Sequence, residues 1–219
     1  MSGVMGESDE EARHRHKQAR DMNDLFYTKR LLNFADQNSQ AHAARLRESF
    51  AEHAPASLWG LWQGVFGMAA HQLMAVSAHA ELDDGWRPPE DCEVESQWVL
   101  KATVRPQSAA PLTRLGVYVF RDFWLPFEHL DEAVALSSAA WQTFEGAEAY
   151  SAKPMALFAP AQAMVASQEC RLHLLTWYPD FTSWETSRQS DPAAMQRFIA
   201  RRALTRTTQA VATRLLLPS

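Results

Sequence analysis

The stretch LGVYVFRDFWL, Leu115 to Leu125, decides the fold. Leu115, Val117 and Val119 fall on one side of an extended strand and Gly116, Tyr118 and Phe120 on the other, so both faces call for cover. Downstream, Asp131 to Glu145 reads as a helix, because Leu130, Val134, Ser137, Trp141 and Phe144 recur at steps of four, three, four and three and form one buried stripe. A pair of strands from Met155 to Tyr178 follows, broken at Pro160-Ala161-Gln162, and then Thr182-Ser183-Trp184. In its second arm His173, Leu175 and Trp177 alternate with Leu172, Leu174, Thr176 and Tyr178, again a strand covered on both sides.

The same order of elements occurs earlier in the chain. Phe26 to Phe34 reads as a strand, and Ser39 to His53 as a helix carrying Ala43, Leu46 and Phe50. Leu58 to His79 reads as two strands turning near Gly67 to Ala70, with Asp84-Gly85-Trp86 after them. Each copy ends in a further strand, Ser96 to Val104 in the first and Val211 to Leu217 in the second. The second copy adds a helix opened by Asp191-Pro192 and running to about Gln209. One β-α-β-β unit exposes an apolar sheet face that its twin can cover. The expected fold is therefore α+β: two fused ferredoxin-like repeats forming a dimeric-α/β-barrel-type fold, with helices outside an antiparallel sheet barrel whose closure removes exposed edges. The expected division is a mobile tail at 1–24, an abbreviated first repeat at 25–105, a linker at 106–113 and a complete second repeat at 114–219.

Composition narrows the function classes. Hydrophobic residues make up 47% of the 219 and charged residues 21%, a globular balance. No apolar run is long enough to span a bilayer, and Met1 to Asp24 has no apolar segment of a secretory signal. A net charge of −5 argues against a general nucleic-acid binder. Cys92 and Cys170 stand in unlike contexts without a CxxC spacing, which suggests neither a disulfide framework nor a zinc cage and fits a reducing cytoplasm. From Pro192 to Ser219 the chain has Arg197, Arg201, Arg202, Arg206 and Arg214 and no acid, either a balancing basic helix face or an anion or partner site.

The segments LGVYVFRDFWL, LDEAVALSSAAWQTFE, RLHLLTWYPDFTSWETSR and FIARRALTRTTQAVATRLL resemble the carboxyl-terminal repeat of bacterial NIPSNAP-type proteins, and LWGLWQGVFGMAAHQLMAV is similar to their shorter first repeat. The likeness runs from about Phe26 to Leu217 and is sharpest at Leu174 to Pro179 followed by Trp184. It implies the same barrel but brings no agreed catalytic motif.

No Gly-rich phosphate loop, GxSxG elbow, HExxH helix or paired-carboxylate constellation is present. Chemistry must then come from aromatic, basic and imidazole side chains on strands. His173, set among apolar neighbours, is the preferred candidate acid-base residue, and His173 or Tyr118 is the candidate catalytic donor to a developing oxyanion. His71, His79 and His129 are weaker candidates. Trp62, Trp98, Trp141 and Trp177 could give a pocket flat walls for a planar molecule, and Arg121, like Arg30, needs either a substrate carboxylate or a neighbouring acid. Asp122 points away from Arg121. The expectations are a small apolar or aromatic ligand held between sheet and helices, or a cofactor-independent enzyme of proton-abstraction or monooxygenase type on an aromatic or polyketide-like substrate. Haem on an apolar-set histidine and a protein-interaction module are further readings. No metal site is expected, and self-association into a homo-oligomer is compatible with the chain.

Overall fold

In the computed structural model, residues 25–52, 56–145, 151–162, 164–188 and 192–218 are described. The expected tail at 1–24 and the end of the first helix at His53 lie outside them, and of Phe144 only the backbone is described. The strands are β1 (Phe26–Phe34), β2 (Ser57–Phe66), β3 (Gln72–His79), β4 (Cys92–Ala102), β5 (Val117–Pro126), β6 (Lys153–Pro160), β7 (Glu169–Tyr178) and β8 (Thr207–Leu215). The helices are α1 (Ser39–Glu52), α2 (Leu130–Glu145), α3 (Phe181–Thr186) and α4 (Pro192–Leu204). The strands close into one antiparallel barrel in the order β1-β3-β2-β8-β5-β7-β6-β4. Read as halves, β4-β1-β3-β2 and β8-β5-β7-β6 repeat the same order, the ferredoxin-like arrangement the sequence implies.

The halves meet along two thin seams. One runs from Trp62 opposite Leu215 to Phe66 opposite Ala212, and the other only from Leu100 opposite Pro160 to Ala102 opposite Phe158. Alternation sorts the side chains into layers. Tyr27, Trp62, Met74, Val76, Leu100, Tyr118, Phe120, Phe158, Leu175 and Trp177 fill the barrel. Outside, α1 lays Ala43, Leu46 and Phe50 against Leu32, Leu61, Leu73 and Trp86. On the other half Leu130, Ala133 and Trp141 of α2 cover Phe123, Leu125, Leu157 and Leu172.

α1 begins at Ser39 as expected, capped by Asn38, which accepts from the Ala41 N–H at 3.3 Å; other ends differ from the sequence expectation. Thr182-Ser183-Trp184 is the short helix α3, capped by the Asp180 carboxylate at 2.7 Å from the Ser183 N–H. The helix expected to reach Gln209 stops at Leu204, because Thr207 onward pairs with β5, starting with Thr207 opposite Trp124. There β-branched residues gain more from a strand ladder than from another helical turn.

The chain between β4 and β5 stoppers one end of the barrel. The Leu112 N–H donates to the Trp59 carbonyl at 2.8 Å, the Tyr118 hydroxyl to the Arg114 carbonyl at 2.7 Å and the Trp177 indole N–H to the Leu115 carbonyl at 2.9 Å. Gly116 admits this packing: its φ of +147° disfavours other residues, and a Cβ there would strike the Trp177 indole and the Tyr178 carbonyl. Toward the opposite end the inward positions of β5 and β7 carry Asp122, His173 and Arg171.

Candidate active site in the barrel wall

Asp122 and His173 face each other across the β5–β7 ladder, both pointing inward. Lys29, inward between Tyr27 and Leu31, comes from β1, the strand diametrically opposite β5 in the barrel order. It spans the interior, and its Nζ lies 3.0 and 3.2 Å from the two Asp122 carboxylate oxygens. His173 Nδ1 lies 2.8 Å from Asp122 Oδ1 and 3.3 Å from Lys29 Nζ. The carboxylate can only accept, so Nδ1 carries the proton and donates to it, which leaves Nε2 as a lone pair. That Nε2 is enclosed and has no hydrogen-bond partner.

Aromatic rings wrap the cluster. Lys29 Nζ sits 5.1 Å from the Trp98 ring centre and 5.3 Å from that of Phe120, and the Trp98 and His173 rings are 5.7 Å apart. One inward position nearer the open end, the Arg171 guanidinium lies 4.9 Å from the Trp98 ring and 4.4 Å from Trp124, with Nη1 3.8 Å from Asp122 Oδ2. Two indoles thus flank a cation above the buried cluster.

The low-polarity setting shifts every proton equilibrium here. Burial, helped by the Lys29 charge, pushes the His173 imidazole down to about 4, although Asp122 pulls the other way. Burial would raise Asp122, but the hydrogen bond from His173 and the charge of Lys29 outweigh it and hold the carboxyl well below the usual range. Burial lowers Lys29 against the pull of Asp122. The carboxylate at 3.0 and 3.2 Å favours the ammonium form of Lys29, and the imidazole beside it is neutral at pH 7.

Access runs through the wall. The β4–β6 seam is short, and beyond it the sheet parts to leave a cavity of about 580 Å³. Gln97, Trp98 and Leu100 line it from β4, and Cys170, Arg171 and His173 from β7, with Met164 and Trp124 at its rim. The cavity expected between sheet and helices is thus found instead at the barrel wall. Another, of about 420 Å³, lies at the stoppered end by Trp59, Arg105 and Leu112.

The structure gathers His173 and Trp98 at this site and separates the other sequence candidates from it. Tyr118 also faces inward, but two inward positions toward the stoppered end. Its hydroxyl donates to the Arg114 carbonyl, away from the wall cavity, and burial pushes it up to about 12. Trp62 and Trp177 are interior core, the latter under the Arg114 guanidinium at 3.5 Å. Arg121, on the outer side of β5, and Trp141, on α2, lie in the layer between sheet and helices, away from the wall cavity; Trp141 packs in the outer core beneath Arg105. Arg30 takes the internal option, donating to both oxygens of buried Asp84 at 2.7 Å. Lys29, Asp122 and Arg171 were missed by sequence reasoning. Their signal was strand parity, since each continues an inward apolar series: 27-29-31, 118-120-122 and 171-173-175.

The described histidines do not suit a haem. His42 and His79 have both ring nitrogens engaged. His71 and His129 stand at the surface, the latter 42% exposed. His173 is 2% exposed and its Nε2 is enclosed, so with the side chains as they stand no haem iron reaches it. Among the described residues no group of three or more His, Cys, Asp or Glu could hold a metal ion, and no helix is long and apolar enough to cross a membrane.

No family model matches the chain, and no curated protein matches it. Solved structures do. An anthrone oxidase-like protein superposes with a TM-score of 0.62 at 11% identity, over 89% of this chain and 92% of that one. A mutant chlorite dismutase from Candidatus Nitrospira defluvii gives 0.60 at 9% identity, over 92% and 95%. A candidate monooxygenase from Lactobacillus acidophilus gives 0.50 at 9%, over 88% and 93%. At such identities the likeness concerns the backbone alone, and it establishes the fold: this chain is a ferredoxin-like dimeric α/β barrel, both halves carried on one polypeptide.

Proposed function

We propose that this NIPSNAP-like barrel takes a planar aromatic or polyketide-like molecule into the wall cavity and removes a proton from it, with His173 as the base. The observation that carries the reading is the unpartnered Nε2 of His173, backed by Asp122 on its other nitrogen and buried beneath Trp98 and Arg171. Buried ion clusters are costly and seldom improve stability, whereas shifted ionisation collects where chemistry is done. The cytoplasm is the proposed compartment, in keeping with two free, buried cysteines.

The substrate stacks on Trp98 and Trp124, and the Trp98 indole turns toward the cavity to uncover Nε2. His173 accepts the proton, and Asp122 holds the resulting imidazolium through Nδ1–H. Arg171 and Lys29 stabilise the oxyanion that develops as the substrate loses its proton. A base lowered to about 4 is weak while the site is empty, but the substrate anion forming beside it raises it as the proton moves. The carbanion so formed is electron-rich enough to react with dioxygen. For a ring methylene, the carbon loses two hydrogens and takes one oxygen atom as a carbonyl, and the second oxygen atom leaves with those hydrogens as water. The anthrone oxidase-like neighbour suggests the probe.

With anthrone, the expected results are anaerobic exchange of its methylene hydrogens for deuterium and aerobic oxygen uptake. Both should fall by about 10²-fold or more in His173→Gln, the usual worth of a positioned base. Tight binding of the probe without exchange above the buffer rate would overturn catalysis and leave a binding protein for small aromatic molecules. Neither binding nor exchange would overturn both.

A further inference from the structure

On the outer side of β5, next in the chain to Asp122, Arg121 lies opposite Leu174 and Ala210, under the α2 and α4 layer. Arg201, in the last turn of α4, comes down onto the same strand. Its guanidinium lies 4.3 Å from the ring of Phe123, the next outward residue after Arg121, and 5.2 Å from that of Phe198. From α2, Ser137 Oγ accepts one bond from Arg201 Nη1 at 3.1 Å and spends its own hydrogen on the Ala133 carbonyl at 2.7 Å.

What is missing is negative charge. Arg201 is only 6% exposed, and its Nε is enclosed without a hydrogen-bond partner. Among the described residues no carboxylate pairs with Arg121 or Arg201, whereas Arg30, buried on β1, has Asp84 on both its terminal nitrogens and Gln97 on Nε. A buried guanidinium beside a second, half-buried one is repelled by it and forgoes hydration, an arrangement that a bound anion would relieve. Planar, multidentate donors of this kind match a phosphate group better than a point charge does. Arg121 is only partly buried, which leaves a way in.

We infer that Arg121 and Arg201 form a second binding site, separate from the wall cavity, that takes a phosphate group between the sheet and α4, as free phosphate or on a small phosphorylated molecule. Burial lowers both groups, Arg201 to about 10 with the charge of Arg121 adding to the effect; at Arg121 the Tyr178 phenol works against the burial and Arg188 adds to it. The basic helix read from the sequence thus has one of its arginines turned inward to this site.

The test is thermal unfolding of the full chain in inorganic phosphate against chloride at matched ionic strength, because a ligand held by the folded state raises the midpoint saturably. Wild type should show a phosphate-specific rise. Arg121→Leu and Arg201→Met should need at least tenfold more phosphate for the same rise, while His173→Gln responds like wild type. Should Arg201→Met fail to fold, Arg121→Leu carries the test alone. Phenyl phosphate acting at lower concentration than phosphate would point to a phosphorylated molecule, and equal potency to the free ion. No rise beyond chloride with either probe, or an Arg121→Leu response like that of wild type, would overturn the site.

Discussion

Asp122 is the residue on which the barrel interior turns, because among the described residues it alone compensates Lys29 and orients His173. Replacing Lys29 with Met leaves the carboxylate half-supported, and replacing Asp122 with Leu leaves an ammonium with no counter-charge. Each single change should cost about 3 kcal/mol or more in urea unfolding, while the double variant costs less than their sum, since it removes both charges together. The pH dependence belongs to His173. Its imidazole takes up a proton near 6.5 in the unfolded chain but only near 4 in the folded one. The unfolded state therefore binds more protons between those values, and stability rises with pH across that window, by about 3 kcal/mol. Urea midpoints at pH 7 and pH 4.5 should show this loss in wild type and far less of it in His173→Gln. The sequence shows His173 plainly, as an imidazole alternating with Leu175 and Trp177. Lys29 and Asp122 escape it because a contact across a closed barrel joins residues distant in sequence, and nothing local announces it.

Elements were largely legible where their pattern is intrinsic. β1 has the bounds its apolar run implies, and α1 shows its stripe of Ala43, Leu46 and Phe50. The ends decided by partners were not legible: α4 gives way to β8 because β5 offers a ladder, and β4 begins at Cys92 because β1 pairs it as far as Phe34. Two substitutions test the element account. Leu46→Ala removes a fully buried side chain from the α1 stripe and should cost about 3 kcal/mol. Gly116→Ala forces a side chain into the entry of β5 against Trp177, and should cost at least 2 kcal/mol. If Gly116→Ala unfolds at the wild-type urea midpoint, the packing given for the stoppered end is wrong.

At the scale of the molecule, the repeat of strand order makes each half the cover of the other, and the interior draws side chains from all eight strands. Unfolding should then be a single transition, coincident by tryptophan fluorescence and far-ultraviolet circular dichroism; two separated transitions would mean independent halves. The duplication and the barrel could be read from the order of elements alone. The site's position could not, because it depends on where a seam runs short and the wall opens, a property of register and not of composition. Proton removal by His173 is the centre of the account, and ¹⁵N-histidine NMR reads it most directly. The account predicts a neutral ring with Nδ1 protonated at pH 7, titrating near 4, whose Nε2 resonance moves when a planar aromatic probe binds. An imidazole that titrates near 6.5, or an Nε2 resonance unmoved at saturating probe, would contradict it.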